Sequence, residues 1–112
     1  MTSSGITLFL DKVLIKISGE FLAGKQHFGI DPSILSLIAK TISKIHLNGR
    51  EISIVVGGGN FFRGVHESAK DMAQANADYM GMLATVINSI ALKDALDRNG
   101  IETRVQSAID MT

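Results

Sequence analysis

The run Ile52-Ser53-Ile54-Val55-Val56 passes directly into Gly57-Gly58-Gly59. A short, β-branched apolar stretch of this kind reads as a parallel strand buried in a sheet. Three successive glycines remove every Cβ where the chain leaves that sheet, so backbone N–H groups there can approach a ligand closely. A helix beginning near Asn60 would add free N–H groups and the positive end of its dipole, both favouring an anion. Arg63 would bring a planar fork of donors suited to phosphate. The turn therefore points to a phosphate-bearing ligand; the alternative is a tight strand-to-helix turn holding none, since glycine-rich turns are common punctuation.

A second apolar strand, about residues 12–18, ends at Lys16-Ile17-Ser18-Gly19. Ligands of open α/β sheets bind at the carboxyl ends of strands. Lys16 would there neutralise charge on a transferring phosphoryl group; alone, it would read as a solvated strand-end lysine. Two strands both ending in glycine favour a shared crevice. Two better-known phosphate motifs do not fit. Gly19–Gln26 departs from the P-loop at Gln26, where Ser or Thr would hold magnesium, and His27-Phe28-Gly29-Ile30-Asp31-Pro32 does not continue as a helix. Gly57 and Gly59 match the first two glycines of the dinucleotide fingerprint, but Phe62 occupies the third.

The remaining pattern is strand, loop, helix, strand, helix, strand. Glu20–Ile30 reads as a loop with room for a hairpin. Asp31-Pro32 opens a helix as N-cap and first-turn proline. Ile34, Leu35, Ile38, Ile42 and Ile45 form its buried stripe, and Asn48-Gly49 ends it by left-handed capping. Strand two is 51–56, a long helix covers about Gln74–Arg98, and Ile101–Val105 alternates like a third strand. Alternating elements predict a parallel sheet with right-handed crossovers. The long helix carries Met80, Met82, Leu83, Val86, Ile87, Ile90, Ala91, Leu92, Ala95 and Leu96, more than one stripe holds, so it must be covered on two sides.

Composition excludes more than it proposes. The chain has 112 residues with formal net charge 0 and no cysteine. One domain suits that length, neutral charge argues against nonspecific nucleic-acid binding, and disulfides, thiolate catalysis and Cys-based metal sites drop out. Residues 1–11 read as a flexible tail without the basic and apolar regions of a signal peptide, and no apolar run reaches membrane-spanning length. His27, His46 and His66 show no metal-ligand spacing. His46 reads as a dipole partner at a helix end.

Lys16–Glu20, Phe28–Asp31, Gly57–Gly64, Ala77–Asn88 and Val105–Ile109, in this order and spacing, resemble the bacterial UMP kinases (uridylate kinases) of the amino acid kinase superfamily. The resemblance runs from about Lys12 onward. It implies a three-layer α/β/α amino acid kinase fold with a mainly parallel sheet, of which 12–112 would be the N-terminal, UMP-binding part of a truncated chain. It implies phosphoryl transfer from Mg·ATP to UMP in the cytoplasm, with Mg2+ carried by ATP and no protein ligand for it here. By the same resemblance Lys16 and Arg63 would be catalytic. Lys16, Ile17, Ser18, Gly19, Gly59 and Arg63 would line the ATP site, and Gly58 and Asp78 the UMP site, Asp78 through the ribose. A helix-start cap is the alternative for Asp78. Gly24, Lys25, Gln26, His27, Phe28 and Gly29 map onto a region answering GTP. Homohexamers built from dimers are implied, and the long helix, apolar on more than one side, is the expected dimer contact; no nucleic acid or membrane partner is expected. Two other readings stay open: a superfamily member acting on a carboxylate or carbamate, and a noncatalytic nucleotide-binding or assembly fragment.

Overall fold

The structure, a computed structural model, describes residues 11–62 and 71–107. The expected tail up to residue 10, Arg63, Gly64, His66 and the end of the Val105–Ile109 motif lie outside the described residues.

Strands β1 (Lys12–Ile17) and β2 (Glu51–Val56) pair in parallel, in register from Lys12 opposite Glu51 to Ile17 opposite Val56. The ladder extends at both ends. Glu51 N donates to Asp11 O (2.7 Å), which ties in the last residue assigned to the tail, and Gly57 N donates to Ile17 O (3.0 Å). Between the strands come α1 (Gly19–Ala23), a single 3₁₀ turn (Gly24–Gln26) and α2 (Pro32–His46); α3 (Gln74–Arg98) follows β2.

The sheet's inward face, with Ile15, Ile17, Ile52, Ile54 and Val56, packs on one core shared by Leu22 of α1, Ile38, Ala39 and Ile42 of α2, and Leu92, Ala95 and Leu96 of α3. Each fully buried Leu or Ile there contributes on the order of 1.5–3 kcal/mol. The opposite face carries Leu14 and Val55, 63% and 53% exposed. The described residues thus supply the parallel sheet and one helical layer of the α/β architecture.

Local signals explain the helix ends. Asp31 Oδ1 accepts from Ser33 N (2.9 Å) with Pro32 as first helical residue, the N-cap geometry that satisfies an orphan donor. Gly49, at φ 83°, takes the left-handed turn after α2, and the His46 ring contacts Arg50 O at 3.2 Å.

Two expectations are corrected. Residues 20–30 are not simply a loop: Ser18 Oγ accepts from Phe21 N (3.1 Å) and starts α1, whose Leu22 and Ala23 are buried at 0% and 1%. Burial, together with this cap, fixes a helix too short to show a period. The segment 101–105 forms no strand. It keeps a two-residue alternation in burial, but it lies across a groove from β2 without a hydrogen-bond ladder. Ile101 N instead closes the end of α3 on Leu96 O (3.0 Å), and Thr103 Oγ1 bonds Ile101 O (3.1 Å). Alternation sets which way side chains face; pairing requires a partner edge. No helix among the described residues is long and apolar enough to cross a membrane.

Candidate functional site at the ends of the two strands

The carboxyl ends of β1 and β2 bring Lys16–Gly19 against Gly57–Asn60. No helix starts at Asn60 among the described residues. Phe61 N and Phe62 N both donate to Gly58 O (3.0 Å each), so the glycines end in a tight turn. The expected helix-dipole contribution from that point is therefore withdrawn, and the groups left open to a ligand there are the turn's own amides. Gly58 N–H and Gly59 N–H have no acceptor among the described residues.

The glycines are required by space. A Cβ on Gly19 would collide with Gly59 N and lie 2.6 Å from Asn60 Oδ1 and 2.9 Å from Asn60 N. One on Gly58 would meet Ala84 Cβ at 2.6 Å and Thr85 N at 3.1 Å, and one on Gly59 would run into the Glu20 carboxylate at 2.5–2.6 Å. The turn is thus wedged between the start of α1 and the middle of α3. The Glu20 carboxylate covers Gly59.

Other sequence-predicted residues fall in distinct places. Lys16 is the last outward-facing residue of β1, exposed and without an ion pair among the described residues. Ile17 is 8% exposed, its side chain in the core and its carbonyl bonded to Gly57 N–H. Ser18 caps α1 through its oxygen, which leaves its hydroxyl proton available to a ligand. Asp78 is exposed, five residues into α3, and accepts from Gln74 Nε2 (2.7 Å). The N-cap of α3 is Ala73, so Asp78 does not cap the helix. Helical spacing puts Asp78 on one stripe with Gly81 and Thr85, where Phe62 and Gly58 approach α3. Asp78 therefore sits on the stripe that the turn approaches.

The expected effector region, Gly24–Gly29, is fastened to the same turn. Gly29 N donates to Asn60 O (3.0 Å), Asn60 Nδ2 donates to Gly29 O (2.8 Å), and Phe28 meets Phe61 edge-on with centroids 5.7 Å apart. Lys25 and Gln26 lie in the 3₁₀ turn, and His27 adopts a left-handed φ of 63°.

Sequence reasoning missed the residues beneath the turn. Asn60 and Asn88 are both 0% exposed. Asn60 Nδ2 donates to Asn88 Oδ1 (3.0 Å), Asn88 Nδ2 donates to Asn60 Oδ1 (2.7 Å), and Asn88 Nδ2 also donates to Gly57 O (2.7 Å). The available signal was position: Asn88 is four residues from both Ala84 and Leu92 on the buried face of α3. A carboxamide there is isolated among apolar residues and needs polar partners. No cluster of three metal-ligating side chains occurs among the described residues.

The structure resembles a UMP kinase from Bacillus anthracis at 40% identity and a TM-score of 0.71, over 79% of this chain and 36% of that one. It resembles a UMP kinase from Ureaplasma parvum at 39% identity and a TM-score of 0.80, over 93% of this chain and 45% of that one. The chain thus spans less than half the length of either. The model of the amino acid kinase family matches residues 11–112, which include both glycine-ended strands and all of α3, and the chain belongs to that family.

Proposed function

We propose that this chain carries the acceptor side of a UMP kinase, which transfers the γ-phosphoryl group of Mg·ATP to the 5′-phosphate of UMP. The observation that carries the reading is a glycine turn whose Gly58 and Gly59 N–H groups have no acceptor among the described residues, in a chain about 40% identical to two UMP kinases. Phosphoryl transfer relies on positioning and charge stabilisation. Lys16 supplies a mobile positive charge at one strand end, with Ser18 and Gly19 beside it toward ATP. Gly59 serves the ATP phosphates and Gly58 the single phosphate of UMP, and Arg63 clamps phosphate oxygens where the substrates meet. Mg2+ arrives with ATP. In the full-length protein, a coupled assay of UDP formation tests the reading against glutamate, aspartate and carbamate as acceptors. Phosphorylation of one of these in place of UMP overturns it.

Asp78 binds the UMP ribose through its carboxylate. Gln74 engages Oδ1, which leaves Oδ2 for a hydroxyl donor. Asp78→Asn keeps the size but loses the charge. Hydrogen bonds to charged groups are worth about 1.5–3 kcal/mol against about 0.5–1.5 for neutral ones. UMP affinity is expected to fall roughly five- to thirtyfold, with ATP affinity unchanged. Titration calorimetry with each nucleotide measures both; equal UMP affinity in mutant and parent removes Asp78 from the ribose site.

The protein works as a homo-oligomer in the cytoplasm, within pyrimidine nucleotide synthesis, as a homohexamer built from dimers that meet through α3. Tyr79, Leu83, Ile87 and Ile90 recur at helical spacing on the side of α3 away from its buried face and stay 39–50% exposed. Such a stripe gains about 25 cal/mol per Å2 when covered. Ile87→Glu is expected to shift the light-scattering mass toward smaller species with helix content retained; an unchanged mass places the contact elsewhere. GTP acts at Gly24–Gly29, a reading supported by that loop's attachment to Asn60 and Phe61.

A further inference from the structure

We propose that Asn88 and Asn60 are positioning residues for phosphoryl transfer: they hold the Gly57 carbonyl inward so that the Gly58 N–H is presented to a phosphate oxygen. The inference rests on the glycine turn being the phosphate site. In a planar trans peptide the carbonyl and the following N–H point in opposite directions. Asn88 Nδ2 holds Gly57 O at 2.7 Å on the α3 side. The Gly58 N–H therefore points away from Asn88, and it finds no acceptor among the described residues. Without that anchor, the Gly57–Gly58 peptide has no side chain to resist rotation. A rotated peptide would offer the phosphate a carbonyl oxygen, which repels it.

Asn60 makes the anchor directional. The two carboxamides exchange bonds, and each spends its second hydrogen on a main-chain carbonyl, Gly57 O for Asn88 and Gly29 O for Asn60. All four amide hydrogens are used. Turning either amide over would set an oxygen against a carbonyl oxygen, so a single arrangement satisfies the pair. Burying two amides gives little stability that apolar side chains of similar shape would not match. What apolar side chains cannot do is hold a carbonyl in one direction.

The test compares Asn88→Ala with Leu92→Ala in the full-length protein. Leu92 is one turn further along the same buried face, in the core and away from the glycines. Both variants are expected to melt at lower temperature. Asn88→Ala is expected to lose at least about tenfold in kcat with the KM values for UMP and ATP changed by less than about threefold, the pattern of an interaction strengthened in the transition state. Leu92→Ala is expected to keep kcat within about twofold. The crystal structure of Asn88→Ala is expected to show the Gly57–Gly58 peptide rotated. If Asn88→Ala does not fold, Asn88→Asp retains the shape and the acceptor for Asn60, and the same readouts apply. Its protonated carboxyl can donate to Gly57 O, so kcat is expected to recover as pH falls. An unrotated peptide, or equal kcat losses in the Asn88 and Leu92 variants, overturns the inference. A parent protein that phosphorylates another acceptor sinks the UMP reading instead, while the peptide's orientation is still decided by the crystal structure.

Discussion

Gly19→Ala is expected to lower stability by at least about 2 kcal/mol and to reduce turnover more than about tenfold, because overpacking and unsatisfied buried polar groups each cost about 1–3 kcal/mol. The cause is contact, not backbone conformation, since Gly19 is absent from the positive-φ glycines. The new methyl group would press on Gly59 N, Asn60 Oδ1 and Asn60 N. None of these can yield alone. Two belong to the main chain, and the third already accepts from Asn88. The strand ends must separate, and the turn's amides move with them. Gly49 provides the contrast: at φ 83° with nothing within 4 Å of a Cβ, it faces strain without collision. Gly49→Ala is expected to cost about 1–2 kcal/mol and to leave turnover intact. Thermal melts and steady-state rates on both variants decide the matter. A Gly19→Ala protein that melts and turns over like its parent would mean that the start of α1 and the glycine turn do not pack as described.

Lys16→Met is expected to lower kcat about a hundredfold while changing stability by less than about 0.5 kcal/mol, the usual range for an exposed side chain with no structural partner. The two halves of that expectation have separate sources. Lys16 is exposed and unpaired among the described residues, so the fold loses little. Under the proposed function its ammonium meets charge that develops on the transferring group, and methionine keeps most of the stem but not the charge. Rapid-quench measurement of the chemical step, alongside melting, tests both halves. A kcat within about threefold of the parent would place Lys16 away from the transferred group.

Sequence carried the parts of this fold that are specified locally. Asp31-Pro32, Gly49 and the β-branched runs ending at Ile17 and Val56 each determine their structure within a few residues. A long apolar-rich run, closed by Asn99-Gly100, marks Gln74–Arg98 as one helix. Features decided by distant partners were not legible. α1 exists because Leu22 found a core, and residues 101–105 stayed unpaired because alternation cannot name a neighbouring edge. The site divides in the same way. Its glycines stand together in the sequence, whereas Asn60 and Asn88 meet across a separation of 28 residues.

The close contacts at Gly19, Gly58 and Gly59 also constrain how such a site can diversify. With no room for a side chain at these positions, the turn offers a ligand only main-chain groups, which are blind to whatever hangs from the phosphate. Changes of acceptor must then be written outside the turn, on surfaces that tolerate substitution. The stripe of α3 that holds the exposed Asp78 is one such surface bordering the turn. Under the proposed function, descendants of this chain could acquire a different acceptor by altering that helix while leaving the glycine turn untouched.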